Sequence, residues 1–319
     1  MSVARSARVR LGAVRRRVAI TDRNIESGLV WIFGSPRSGS TWLLRLLEDH
    51  PRVIAVNEPL IGLHLGAMLH DVIDIEVDMA ALDWTDFMVR TARAQHHDEF
   101  FAEEYRDVWQ PALGELLRGR FAAHARRHRR PLPGRPVVAI QEPNGSQSAD
   151  VIMAALPRST MVFLLRDGRD VVDSVVAAAQ PGTWVSQTFP GLGSIPEGGR
   201  RDFIERTARK WLWRTQVVEA AFAAHPGPKH LIRYEDLRAD TAGELRPLVD
   251  GLGLDLDDAG LAATIERHSF ESTPAKDRGP KGFRRAATPG LWRQNLSEDE
   301  QALLEGIMGP KLRELGYPE

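Results

Sequence analysis

The sequence predicts an α/β fold, a parallel sheet flanked by helices, and three observations carry that prediction. Short apolar runs recur along the chain. Stretches with helical apolar spacing separate them, which is the alternation of a parallel sheet covered on both faces. The glycine- and arginine-bearing motifs then fall at the carboxyl ends of those runs, where open α/β sheets bind their ligands.

The elements follow in order. Leu29 to Gly34 (LVWIFG) reads as a buried first strand. Thr41 to Asp49 has apolar residues at Leu43, Leu44, Leu46 and Leu47, a helix that His50-Pro51 stops. Val53–Asn57, Val137–Ile140, Met161–Leu165 and His230–Tyr234 are the second to fifth strands. Asp170 to Ala179 is a helix ended by Pro181-Gly182, and residues 61–130 and 203–224 are mostly helical. Residues 1–27 are expected to form a flexible basic tail. Residues 28–319 are expected to form one domain with a helical insertion at about 61–135.

Composition narrows the function. The 319 residues are 43% hydrophobic, enough for one large domain. With 42 basic and 43 acidic residues the net charge is -1, which gives no footprint for nucleic acid or an anionic membrane. The absence of cysteine excludes disulfides and thiolate metal sites. No apolar run reaches the roughly 20 residues of a membrane span, and residues 1–23 hold no signal-peptide core, so a cytoplasmic protein is expected. No metal is expected. His96-His97-Asp98 is the nearest cluster and reads as a solvated helix face.

Two motifs point to a bound anion. Gly34-Ser-Pro-Arg-Ser-Gly39-Ser40-Thr41 joins the first strand to the first helix, so backbone N–H groups and the helix start can surround a phosphate. A nucleoside triphosphatase loop carries lysine directly after its second glycine; here that residue is Ser40, which argues against a kinase or NTPase. The second motif runs from Leu164 to Ser174. Arg166 leaves a strand end and Ser174 lies in the following helix, a guanidinium and a hydroxyl suited to one phosphate dianion.

Ser35, Pro36, Arg37, Ser38, Gly39, Ser40, Thr41 and Trp42 resemble the 5′-phosphosulfate loop of the PAPS-dependent sulfotransferases (PAPS, 3′-phosphoadenosine-5′-phosphosulfate). The resemblance implies a P-loop-like sulfotransferase fold, PAPS as donor and PAP as product. It makes Arg166 and Ser174 the 3′-phosphate grip and Arg37 the group that stabilises the leaving 5′-phosphate. Tyr234, in Tyr-Glu-Asp-Leu, and Phe270, in His-Ser-Phe, resemble the residues flanking adenine, although either fits a core position. Lys281, Arg284 and Arg285 resemble a late loop that clamps the 3′-phosphate ahead of Gly290-Leu291-Trp292, with a departure in spacing that leaves the contacting residue open.

For the base, Glu58 in Asn57-Glu58-Pro59 ends the second strand and is expected beside the first loop, as the glutamate does in the carbohydrate and tyrosine members. His64 and His70 are alternatives, and Glu142 either orients the acceptor, shares the base role or makes a strand-end ion pair. Gln141 stands near where relatives often carry lysine, which keeps a non-catalytic PAP-binding module as a rival reading. Residues 61–135 are expected to form the acceptor lid, with a glycan, glycolipid or small secondary metabolite as the partner. His124–Arg130 is either a solvated helix end or a contact for an acidic acceptor. Residues 182–199 are expected to form a loop over the site.

Overall fold

The computed structural model describes residues 24–65, 100–128, 132–183, 187, 195–274, 279 and 288–318. Five strands form one sheet: β1 (Leu29–Phe33), β2 (Val53–Asn57), β3 (Val137–Gln141), β4 (Thr160–Leu165) and β5 (Lys229–Arg233). Their order is β2-β3-β1-β4-β5 and every pairing is parallel. The central strands β1, β3 and β4 are buried throughout, as their continuous apolar runs require. At the edge, β5 alternates between exposed and buried positions.

Side chains alternate across β1 and so divide the core in two. Leu29, Trp31 and Phe33 face one apolar cluster, Val30 and Ile32 the other. The second cluster is roofed by α1 (Ser40–Glu48), through Leu43, Leu44, Leu46 and Leu47. The helices after β5 complete it: α7 (Tyr234–Ala239), α8 (Thr241–Gly251) and α9 (Asp258–Arg267). The first cluster is covered by α3 (Arg106–Arg126), α4 (Ala149–Ala155), α5 (Gly168–Ala178), α6 (Arg200–Ala224) and α11 (Glu298–Glu314). The short helices α2 (Ile61–His64) and α10 (Trp292–Asn295) lie near the sheet's carboxyl end and beside α5.

Three expectations change. Ile25 and Glu26 are each 2% exposed, and Glu26 is paired with Arg118 and Arg158, so the folded chain reaches back into the expected tail. The α3 part of the expected lid is a core helix: Phe121 packs edge-on against Trp31, with ring centroids 5.5 Å apart. Loss of that ring would cost about 3–5 kcal/mol. The start of the basic run ends α3, with Arg126 and Arg127 exposed, and residues 129 and 130 lie outside the described part. Finally, β3 separates β2 from β1, so Glu58 does not adjoin the first loop through neighbouring strands.

Among the described residues no helix is long and apolar enough to cross a membrane. His70, His96, His97, Lys281, Arg284, Arg285 and most of the 182–199 loop lie outside the described residues.

Candidate functional site

Strand order creates the site. From β1 the chain turns through α1 toward β2, and from β4 it turns through α5 and α6 toward β5, so adjacent strands send their connections in opposite directions. Such a divergence opens a crevice at the carboxyl ends of the two strands.

The first loop needs its glycines. A Cβ on Gly34 would stand 2.2 Å from the Leu164 carbonyl oxygen, because β1 and β4 are still in register there. Gly39 has φ +92 and its Cβ would meet the Tyr234 ring at 2.6 Å. Between them Arg37 adopts φ +70, a left-handed conformation costly for a branched-chain-free but bulky residue and typical of ligand-binding turns. Ser38 N–H donates to the Ser35 carbonyl at 3.2 Å, which curls the loop. Ser38 is 1% exposed, and its hydroxyl has no hydrogen-bond partner among the described residues. A buried, unsatisfied hydroxyl in a loop of this shape fits an anionic ligand.

The second motif arrives from β4. Arg166 donates through Nη1 to the Arg37 carbonyl at 2.7 Å and lies over the Tyr234 ring at 4.4 Å. Arg37 Nε donates to Ser174 Oγ at 3.1 Å. The two motifs are thus joined side chain to side chain and side chain to backbone.

The acids of the second motif are occupied with holding it in place. Asp167 caps α5 by accepting from Arg169 N–H at 2.9 Å and pairs with the Arg169 guanidinium at 2.8 Å. Asp170 accepts from Gly290 N–H at 2.7 Å, and burial raises its pKa. Asp173 accepts from Asn295 Nδ2 at 3.0 Å. Trp211 of α6 donates to the Arg166 carbonyl at 3.2 Å, and its ring lies so close to Gly168 that a Cβ there would stand 2.6 Å away.

On the far side of β1, the turn after β2 is strained twice, with Glu58 at φ +45 and Leu60 at φ +58. It is fastened to the chain after β3. Glu58 N–H donates to the Gln141 carbonyl at 3.0 Å, and Asn144 Nδ2 donates to Glu58 Oε2 at 2.8 Å. Gly62 N–H donates to Glu142 Oε1 at 3.3 Å, and Ser148 Oγ donates to the Gly62 carbonyl at 3.1 Å. Gly62 meets Gly145 backbone to backbone, where a Cβ would stand 1.9 Å from the Gly145 carbonyl oxygen.

Gln141 and Glu142 are both fully buried. Gln141 donates to Asn57, and its amide nitrogen lies 3.5 Å from the Thr41 hydroxyl, so it spans from the first loop to the β2 end. Burial, opposed by N–H donors from residues 60–62 and reinforced by the Glu58 charge, raises the Glu142 pKa to about 7.

The structure therefore brings Ser35 to Thr41, Arg166 and Ser174 together, and brings Glu58 and Glu142 together at the carboxyl ends of the neighbouring strands β2 and β3. Tyr234 is 5% exposed, enclosed by Gly39, Arg166 and Trp42, whose ring centroid is 6.2 Å away. Trp42 packs outward against Tyr234 and beneath Arg238. Phe270 is half-buried in the turn after α9, and His64 is exposed at the end of α2. Asn144 and Trp211 escaped the sequence reading. The Pro143-Asn144-Gly145 turn directly after a strand-end glutamate was the available signal for the first. Trp211 offers none beyond its place on an amphipathic helix.

Comparison with known proteins places the chain in a family and supports the fold. The model of the sulfotransferase family matches residues 30–258. Mouse sulfotransferase SULT7A1, solved in complex with PAP, is similar at a TM-score of 0.51 and 13% identity, over 90% of this chain and 85% of that one. Sulfotransferase STF9 from Mycobacterium avium is similar at 0.50 and 10% identity, over 91% of this chain and 77% of that one. None of the curated proteins matches the chain.

Proposed function

The chain belongs to the sulfotransferase family, and from that premise we propose that it moves a sulfuryl group from PAPS to a hydroxyl of a small molecule or glycan, with Arg37 and Glu58 as its catalytic residues. The observation that carries the reading is the meeting of two anion-binding motifs at one crevice, through Arg37 with Ser174 and Arg166 with the Arg37 carbonyl. One nucleotide bearing phosphates at both ends of its ribose accounts for both motifs. A nucleoside triphosphate accounts for only the first.

In this reading Ser38, Gly39, Ser40 and Thr41 hold the 5′ end with backbone N–H groups and hydroxyls, and Arg166 with Ser174 holds the 3′-phosphate. PAPS supplies the activated sulfuryl group. Arg37 stands where negative charge grows on the leaving phosphate as the bond from sulfur to the bridging oxygen breaks. As the acceptor oxygen bonds to sulfur, its proton passes to Glu58. Asn144 holds Oε2 of that carboxylate, which assigns proton acceptance to Oε1. The acceptor would lie over the carboxyl ends of β2 and β3. Gln141, whose amide reaches the first loop, occupies the ground between donor and acceptor.

Thermal unfolding with PAP, and separately with ADP and magnesium, tests the donor assignment. Ligand at about 100 times its dissociation constant adds about 2.7 kcal/mol, readily seen as a shift. Stabilisation by PAP alone supports the reading, and stabilisation by ADP and magnesium alone returns the chain to the kinase class. Glu58→Gln tests the base: turnover of PAPS should fall while PAP binding is kept, and unchanged turnover removes Glu58 from the role.

A further inference from the structure

Behind the second motif, away from the crevice, lies a contact that the proposed chemistry does not use. Glu235, at the start of α7, has both carboxylate oxygens engaged. Oε1 accepts from Asp167 N–H at 3.0 Å, and Oε2 accepts from the Tyr317 hydroxyl at 3.1 Å. Tyr317 is 6% exposed, and its ring lies under the Arg233 guanidinium at 4.6 Å. The next residue adds a second tie, because Arg169 Nη2 donates to the Pro318 carbonyl at 2.6 Å. Residues 317 and 318 thus reach back across the sequence to grip Asp167 indirectly and Arg169 directly, the two residues that follow Arg166 most closely in shaping its turn.

We infer that Tyr317 is a positioning residue for the 3′-phosphate grip, holding the Glu235 carboxylate away from Arg166 so that this guanidinium is available to a phosphate. The physical case concerns competition. Glu235 is a partly buried carboxylate that interacts electrostatically with Arg166. A carboxylate with a free oxygen beside a guanidinium forms a charge-assisted pair, in competition with any incoming dianion. Tyr317 takes up that oxygen. The hydroxyl also favours the charged form of Glu235, against the burial that pushes its pKa up, so the carboxylate stays a good acceptor for Asp167 N–H. Burial likewise pushes the Tyr317 hydroxyl up, so it remains a donor across the physiological range.

The inference rests on the proposed role of Arg166, and the test separates the two. PAP and AMP differ only in the 3′-phosphate, so titration calorimetry with each reads the grip alone. Tyr317→Phe keeps the ring under Arg233 and removes one oxygen. PAP should bind about tenfold more weakly, in line with loss of one hydrogen bond to a charged group, while AMP changes by less than about twofold. In a Glu235→Gln background, which has no carboxylate to compete, Tyr317→Phe should have no effect on PAP, a coupling that general loosening of the fold would not produce. Equal weakening of PAP and AMP, or an unchanged PAP affinity, overturns the positioning role. Arg166→Ala is the control: it should reduce PAP to the affinity of AMP. Should it leave the preference for PAP intact, the 3′-phosphate assignment fails and this inference with it. A collapsed preference alongside a neutral Tyr317→Phe removes the inference alone.

Discussion

Arg37 Nε donates to Ser174 Oγ over 3.1 Å, joining residues 137 positions apart in the chain. The bond puts the residue assigned to the leaving phosphate in contact with one assigned to the 3′-phosphate, so substitutions at either should be felt at both ends of the nucleotide. Arg37→Ala should lower single-turnover consumption of PAPS by about 10²–10³-fold, the usual loss when one preorganised donor is removed from developing charge. PAP affinity should fall much less. Rapid-quench measurement of PAP formation, with calorimetry alongside, checks both halves.

Gly39 is irreplaceable for two reasons that act together, its φ of +92 and the 2.6 Å approach to Tyr234. Gly39→Ala should destabilise the fold by about 1–3 kcal/mol in urea and weaken PAP binding, because the ring that must yield also supports Arg166. Gly198→Ala is the comparison: it shares a positive φ but has nothing within 4 Å among the described residues, so it should leave PAP affinity alone.

Glu142 sets a pH dependence of stability. Its folded pKa is raised to about 7, chiefly by burial, above the ordinary carboxylate value of 4.5. Between those two values the folded state holds a proton that the unfolded state has released. The stabilisation is therefore complete below about pH 4.5, declines as pH rises, and is gone above about 7. Glu142→Gln should remove that decline, an effect on the order of 3 kcal/mol. Melting curves of both proteins from pH 5 to pH 8 should diverge as pH rises, with the glutamine variant the more stable at pH 8.

Asn144 should matter to turnover more than to binding. Asn144→Asp replaces a donor to Glu58 with a like charge at nearly constant shape, so PAPS turnover should fall by at least about tenfold with PAP affinity unchanged. The loss should shrink in a Glu58→Gln background. Equal loss in both backgrounds would mean that Asn144 does not act through Glu58.

The strands and both anion motifs were legible because each is a local pattern. A buried parallel strand is an apolar run, and a phosphate loop is glycine at a fixed spacing before a helix. What escaped is non-local. Sequence order placed the β2 end beside the first loop, yet β3, more than 75 residues later in the chain, inserts between β2 and β1 and brings Gln141 and Glu142 with it. Hydrogen-bonded pairs such as Asn144 with Glu58 depend on that insertion and have no signature at either residue. Residues 106–126 were expected in the acceptor lid for a related reason: helical spacing shows that a face is apolar but not what covers it. Contact of Phe121 with Trp31 decides for the core.

The sheet order also separates two kinds of change that descendants of this chain can tolerate. The parts assigned to the donor nucleotide hang from β1 and β4, and the strained Glu58 turn hangs from β2 and β3. Drift on the β2 side can therefore alter which alcohol is accepted while the nucleotide grip is left untouched. Gln141 is the exception, since its single amide contacts both territories. It is the position at which a new acceptor preference and an old donor preference would have to be reconciled in one side chain.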